Sequence, residues 1–425
     1  MGNFTILLVL ISIMALLNAL ADRFKLSSPI VLIIAGIAMG FIPFIPTIEI
    51  DPGVVFLLFL PPLLYDAAFN LHFKDFRENL NTISSMAFGL VFLTTVGIAV
   101  IAHYIIPGMS WPLAFVLGAI LSSTDAVAAL SITKGLGLSP LTITILEGES
   151  LLNDASALVA YRYATAAVTG AAFIWWKASF TFLILIGGGI VIGLVIAKIL
   201  ATVLRLIRNQ ILAVLSYTLL APFITYLLAE ELHCSAVIAV VALGLSISKL
   251  SEARFPEELK RQSASIWELL VFLLNGLIFV LIGLELPVVV KSISYDDLWK
   301  DAAYALLITV TALIIRMVRV FSKKEGLQRG FNHPNIKNSK QAISAFTLLG
   351  LQESLVISWS GMRGIVSLAV AIGLPKTLVH GQPFPMRGTI IYITTVVVLI
   401  TIVGQGLLLP ILMKKINAQQ SCTKS

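Results

Sequence analysis

The sequence predicts an all-α polytopic membrane protein: thirteen transmembrane helices, arranged as two inverted six-helix repeats around a linker helix. Three observations predict it. First, 58% of the 425 residues are hydrophobic and 12% are charged, about half the charged share of a soluble globular chain. Second, the apolar residues fall in long runs, most of them near the ~20 residues that a bilayer crossing needs. Third, the two runs interrupted by polar residues at depth occupy matching places in the two halves of the chain. The net charge of +7 gathers at the ends of the apolar runs, so it marks membrane flanks and predicts no nucleic-acid partner. Cys234 and Cys422 give neither a disulfide framework nor metal-ligand spacing, and no cofactor is expected.

In chain order, the first run, 4–21, follows Met-Gly-Asn without a basic segment and reads as a retained helix rather than a cleaved signal. Runs 29–44 and 53–70 follow, the latter ending Leu60-Pro61-Pro62-Leu63-Leu64-Tyr65-Asp66 and beyond, with Asp66 in its inner half. Run 82–104 is plain. Run 111–131 carries Ser122-Ser123-Thr124-Asp125 at its centre, where hydroxyls and a carboxylate compete for backbone hydrogen bonds and predict a broken helix. Run 144–169 holds the densest polar cluster. Runs 178–203 and 211–229 are plain, and 234–248 is short. Run 265–287 contains no lysine or arginine, and 301–321 carries Arg316 near its end. Run 351–374 is interrupted by Ser360-Gly361-Met362-Arg363-Gly364, two helix-weakening glycines around a charge. Run 388–413 is the last. The one long loop, 322–350, is polar and basic and reads as a positive anchor.

An odd number of crossings puts the termini on opposite sides. Of the 29 lysines and arginines, twenty-one fall on the flanks of one side and five on the other, with Arg162, Lys198 and Arg363 inside spans. The basic side is cytoplasmic, so the N-terminus is expected outside and the C-terminus inside. Counting outward from span seven, the broken spans five and twelve are each the fifth member of a six-span half. Paired interruptions of this kind point to a transporter's binding site.

The cluster in span six reads Glu147-Gly148-Glu149-Ser150-Leu151-Leu152-Asn153-Asp154. Helical spacing puts Ser150 and Asp154 on one face and Glu149 and Asn153 on the next. Asp154 lies ten residues into the run, about 15 Å deep. A charge there costs at least ~2.5 kcal/mol, so it marks function. Free ends of half-helices carry partial charges of about half a unit. Asp125 suits their positive ends and Arg363 their negative ends. Glu149 is expected to pair with Arg316, which lies equally deep, with Arg363 as the rival partner. Glu147 reads as a solvated residue near the cytoplasmic mouth, and the five histidines as surface residues.

Together these residues resemble the sodium/proton exchanger branch of the monovalent cation/proton antiporter superfamily, in its bacterial NhaP-like form. The motifs carrying the resemblance are Gly148–Asp154, Ser123-Thr124-Asp125, Leu60–Asp66 and Gly361-Met362-Arg363-Gly364. It implies a transporter rather than an enzyme, a homodimer in the cell inner membrane, and crossed broken helices five and twelve. It also implies an interface domain from 1–81 and 204–295 and a core transport domain from 82–170 and 296–413, joined by a linker helix at 171–203. The residues after the last run, 414–425, read as a short cytoplasmic tail. Na⁺ and H⁺ are then expected to compete at Asp154. Ser150, the backbone carbonyl of Thr124 and Asp66 complete an oxygen site for Na⁺, supported by Asn153, Asp125, Glu149, Arg316 and Arg363. The span-three acid, commonly Glu in the family, is here the shorter Asp66.

Two absences bear on stoichiometry. The electrogenic branch has Asp where this chain has Asn153, and usually a lysine in span ten. Asn153 cannot titrate, so electroneutral 1:1 exchange is expected. The rivals are a K⁺/H⁺ antiporter, which the same ligands suit, and a channel. A third rival, an intramembrane protease at Ser358-Trp359-Ser360-Gly361, lacks both the preceding glycine and a membrane histidine to act as base.

Overall fold

The computed structural model describes residues 2–24, 26–42, 52–71, 73–133, 138, 140–170, 175–207, 210–291, 295–331, 351–378, 381–409 and 411. Among these the chain is helical apart from its joints, with one isolated bridge between Thr377 and Pro383. The helices are α1 (Gly2–Arg23), α2 (Ser28–Gly40), α3 (Pro52–Asn70), α4 (Phe73–Glu78), α5 (Leu80–Ser84), α6 (Val91–Ile105), α7 (Trp111–Ser122), α8 (Ala126–Thr133) and α9 (Pro140–Val168). There follow α10 (Trp175–Leu206), α11 (Ile211–Glu231), α12 (Ala236–Arg254), α13 (Glu257–Lys291), α14 (Tyr295–Phe331), α15 (Leu351–Trp359), α16 (Ile365–Ile372) and α17 (Arg387–Leu399). A π-helical stretch, Ser85–Leu90, joins α5 to α6, and a second, Ile400–Gln405, continues α17.

Local chemistry accounts for several starts. Pro29 sits in the first turn of α2, where a missing N–H leaves no partner unsatisfied. Ser235 caps α12 by accepting the Ile238 N–H at 3.4 Å. Among the described residues, six helices are long and apolar enough to cross a membrane, and five shorter apolar helices accompany them. One of the short ones, α7, is short for a reason: α7–α8 is an interrupted pair. So is α15–α16, whose halves are shorter still.

The basic loop expected over 322–350 begins later than its polarity suggests. α14 runs on through Phe331, because Lys, Glu, Gln and Arg leave the bilayer without leaving the helix and are good helix formers. Residues 332–350 lie outside the described residues, as do the ends of several joints that carry basic flanks.

Close packing fixes one part of the molecule. α13 lies against α2 so tightly that a Cβ at Gly36 would meet Gly283 Cα at 3.0 Å, and one at Gly283 would meet Gly36 Cα at 2.8 Å. Paired small residues let helix backbones touch where lipid offers no hydrophobic drive to associate. One buried apolar cluster joins α1, α2 and α13. A second joins α3, α10, α11 and α12. A third joins α6, α7, α14 and α17. The two interrupted helices and α9 lie where these clusters meet.

Candidate ion-binding site

Ser122 donates its hydroxyl to Ala119 O at 2.8 Å, and the backbone then extends at Ser123 (φ −67°, ψ 141°) before α8 begins at Ala126. In the other interrupted helix Ser358 and Ser360 donate back to Ser354 O and Val356 O, both at 2.7 Å, and the chain stays irregular through Gly364. The two breaks hold each other: the Asp125 N–H donates to Met362 O at 2.8 Å. Gly364 makes this approach possible, since a Cβ there would lie 2.6 Å from both Cβ and Cγ of Asp125.

The half-helix ends are compensated by opposite charges. Asp125 accepts the Ala128 N–H at 3.3 Å, at the N-terminus of α8. Arg363 donates Nε to Leu121 O at 2.9 Å, at the C-terminal end of α7, and Nη1 to Gly361 O, beyond the end of α15. These are the ends where unpaired N–H and C=O groups and partial charges accumulate. The Arg363 N–H donates to Thr401 Oγ1 at 3.1 Å, within the second π-helical stretch.

α9 supplies the other wall. Glu149 is paired with Arg316 of α14, which donates Nη2 to Oε2 at 2.8 Å and Nη1 to Oε1. Both side chains are 2% exposed. Arg316 also donates Nε to Ile357 O at 2.9 Å, and its chain runs over Gly361, where a Cβ would lie 2.5 Å from Arg316 Cδ. Arg363 is thus engaged with carbonyls and Arg316 with the acid. Thr124 bridges the two regions: its hydroxyl donates to Glu149 Oε1 at 3.3 Å and accepts from Asn153 Nδ2 at 2.7 Å. The Thr124 carbonyl accepts from both Ser150 Oγ and Asn153 Nδ2, each at 3.1 Å. Ser150 in turn accepts the Ala126 N–H at 3.3 Å. Asp154 is buried and accepts a hydrogen bond from Ser123.

A cavity of about 250 Å³ opens beside these residues. Asp66, Ser123, Thr124, Asp125, Ser150 and Asp154 all line it. Asp66 accepts from Asn70 Nδ2 at 3.0 Å. Asn153, Glu149, Arg316 and Arg363 stand behind the wall. The sequence reading passed over four lining residues. Ser123 and Asn70 are one hydrogen bond from a candidate acid; an i, i+4 spacing from Asp66 was the available signal for Asn70. Asn275 of α13 is the polar member of an otherwise apolar helical face (Val271, Ile278, Phe279), a break in pattern that spacing alone reveals. Glu147, read as merely solvated, also lines the cavity.

A model of the family described as sodium/hydrogen exchanger, transmembrane, matches residues 7–415. The chain belongs to the sodium/hydrogen exchanger family. It is therefore a multi-span membrane protein, and the broken helices and buried acids are features of a family member. An uncharacterized Na⁺/H⁺ exchanger of Mycobacterium tuberculosis is 34% identical over 406 residues, covering 95% of this chain and 73% of the relative. A sodium, potassium, lithium and rubidium/H⁺ antiporter of Bacillus subtilis is 33% identical over 423 residues, covering 97% of this chain and 62% of that one. In fold the exchanger resembles the sodium proton antiporter MjNhaP1 from Methanocaldococcus jannaschii, with a TM-score of 0.70 at 20% identity over 97% of this chain and 98% of that one.

Proposed function

We propose that this exchanger is a secondary active antiporter, not an enzyme, that moves Na⁺ against H⁺ by alternating access. The observation that carries the reading is Asp154. It is a buried carboxylate beside an interrupted helix, facing a cavity that no described Lys, Arg or His lines. A bare carboxylate at such depth is costly, and either a proton or a cation relieves that cost. Protonation removes the charge that the cation needs, so the two ions exclude each other. The apparent KM for Na⁺ accordingly rises as pH falls.

Ser150, the Thr124 carbonyl and Asp66 are proposed as further Na⁺ ligands. Two donors already occupy the Thr124 carbonyl, so cation entry requires Ser150 to turn its hydroxyl away and offer a lone pair instead. Asn153, Asp125, Glu149, Arg316 and Arg363 hold this wall in place. Asn153 carries no titratable proton, which supports electroneutral 1:1 exchange. The same reading includes thirteen crossings, with α7–α8 and α15–α16 as one interrupted crossing each. It also includes a homodimer in the inner membrane, N-terminus outside and C-terminus cytoplasmic, with α1–α3 and α11–α13 as interface and the remaining spans, apart from linker α10, as moving core.

The test is proton flux in proteoliposomes with Na⁺, Li⁺ and K⁺ supplied in turn. Proton release driven by Na⁺ and indifferent to an imposed membrane potential is the expected result. A potential-dependent end point would rule out one-for-one exchange, and flux with no cation dependence would rule out antiport. The Bacillus relative, named for four alkali cations, favours a second reading in which K⁺ is also carried. K⁺-driven flux of comparable rate would establish it.

A further inference from the structure

Four carboxylates line the cavity: Asp66, Asp125, Glu147 and Asp154. Three of them accept a hydrogen bond from the protein. Asp66 takes one from Asn70, Asp125 one from the Ala128 N–H, and Asp154 one from Ser123. Among the described residues, Glu147 accepts none, and no cationic side chain pairs with it. Its position is also ordered. Glu147, Ser150 and Asp154 stand at i, i+3 and i+7 on α9, one face of one helix, and all three line the cavity. Seven residues are two turns, about 10.5 Å along the axis. Asn70, which lines the same cavity, is exposed at the C-terminal end of α3. Glu147 is the member of the α9 row nearest the start of that helix. The row therefore runs inward from a carboxylate with free oxygens, past a hydroxyl, to the buried acid. The facing wall from α13 offers Val271, Ile278 and Phe279, with Asn275 as its polar group.

We propose that Glu147 is the residue that draws the cation into the cavity and passes it along α9 to Asp154. It is a positioning residue, acting through its carboxylate charge and not as a ligand of the final site. This rests on the antiport reading above. A carboxylate with no protein partner offers its oxygens to whatever occupies the cavity, and its charge adds to the attraction felt at Asp154. One unit charge two helical turns away, at the dielectric of a partly wet protein site, changes cation affinity by roughly tenfold.

The experiment is Na⁺-driven proton flux in proteoliposomes, at alkaline pH where protons compete least, for the wild type, Glu147→Gln, Glu147→Asp and, as a control, Asp154→Asn. Glu147→Gln is expected to raise the KM for Na⁺ by about tenfold at an unchanged maximal rate. Glu147→Asp, which keeps the charge, is expected to restore most of the affinity. The dependence of KM on inert salt should flatten in Glu147→Gln, because the charge being screened is gone. An unchanged KM in Glu147→Gln overturns the proposal. So does a lower maximal rate at unchanged KM, which marks a packing role, or a failure of Glu147→Asp to recover affinity. If the wild type shows no Na⁺ dependence, or if Asp154→Asn keeps the wild-type Na⁺ dependence, the antiport reading falls and this inference with it.

Discussion

At the α7–α8 break, Ser123, Thr124 and Asp125 line the cavity in succession. At the α15–α16 break, the described residues that line the cavity are Gly364 and Val366. Both regions abandon the helical hydrogen-bond ladder for a few residues, and both expose partial charges that need an answer. In the second region Arg363 turns inward onto two carbonyls, and Arg316 crosses its glycine on the way to Glu149. In the first, Ser123 and Thr124 reach α9, while Asp125 turns to the start of α8. The difference teaches that an interrupted helix is not itself a binding site. One break presents oxygens, while the other holds that break at the right distance.

The largest expected effect separates the cavity wall from everything behind it. Asp154→Asn should keep a monodisperse, normally melting protein and lose Na⁺-driven proton flux to background. Flux that survives would place the shared site elsewhere and remove the reason for calling the first break the ion-facing one.

Next comes the link between the two regions. Glu149→Gln strands the Arg316 charge in a place 2% exposed, and breaking a buried pair costs about 3–5 kcal/mol. Thermal unfolding in detergent should show a clear loss of stability. A normal melting curve with lost cation affinity would make Glu149 a ligand and move it to the cavity side of the comparison.

Gly364→Ala asks how tightly the second break supports the first. The new Cβ would lie 2.6 Å from two Asp125 carbons, so Asp125 or the backbone must move. Overpacking of this kind costs about 1–3 kcal/mol. Detergent melting should register that loss together with a reduced transport rate, because the displaced residue lines the cavity. Unaltered melting would mean the contact is slack.

Thr124→Ala is the smallest change. It removes a hydroxyl held between Glu149 and Asn153 but keeps the backbone carbonyl. About 1 kcal/mol of stability should go, with Na⁺ KM little changed. A large rise in KM would identify the hydroxyl, not the carbonyl, as the ion's neighbour.

Much of this was legible in the sequence, for identifiable reasons. Apolar run length marks crossings because the bilayer sets their length. Ser-Ser-Thr-Asp and Ser-Gly-Met-Arg-Gly marked the breaks because those residues weaken helices locally. Depth along a span was also readable, which is why Arg316 and Glu149 could be set at one level. Direction around a helix axis relative to a distant neighbour was not readable. That blindness left Arg363 a rival partner for Glu149 until both side chains were placed, and it hid the hydrogen bond from Ser123 to Asp154. The π-helical stretches at Ser85–Leu90 and Ile400–Gln405 had no local signature either.

Glu149 and Arg316 are 167 residues apart in the chain, and this separation has a consequence for how the protein is made. At roughly 5–20 residues per second of synthesis, α9 exists for on the order of 10–30 s before its counter-charge has been polymerised. During that interval the acid must be tolerated by an incomplete bundle, with its apolar neighbours on α9 offsetting the cost of insertion. The pair is therefore a late checkpoint of biogenesis as well as a feature of the finished fold. Chains defective at Arg316 should be cleared young, and pulse-chase labelling would find them as short-lived nascent protein before any assay found them as slow exchangers.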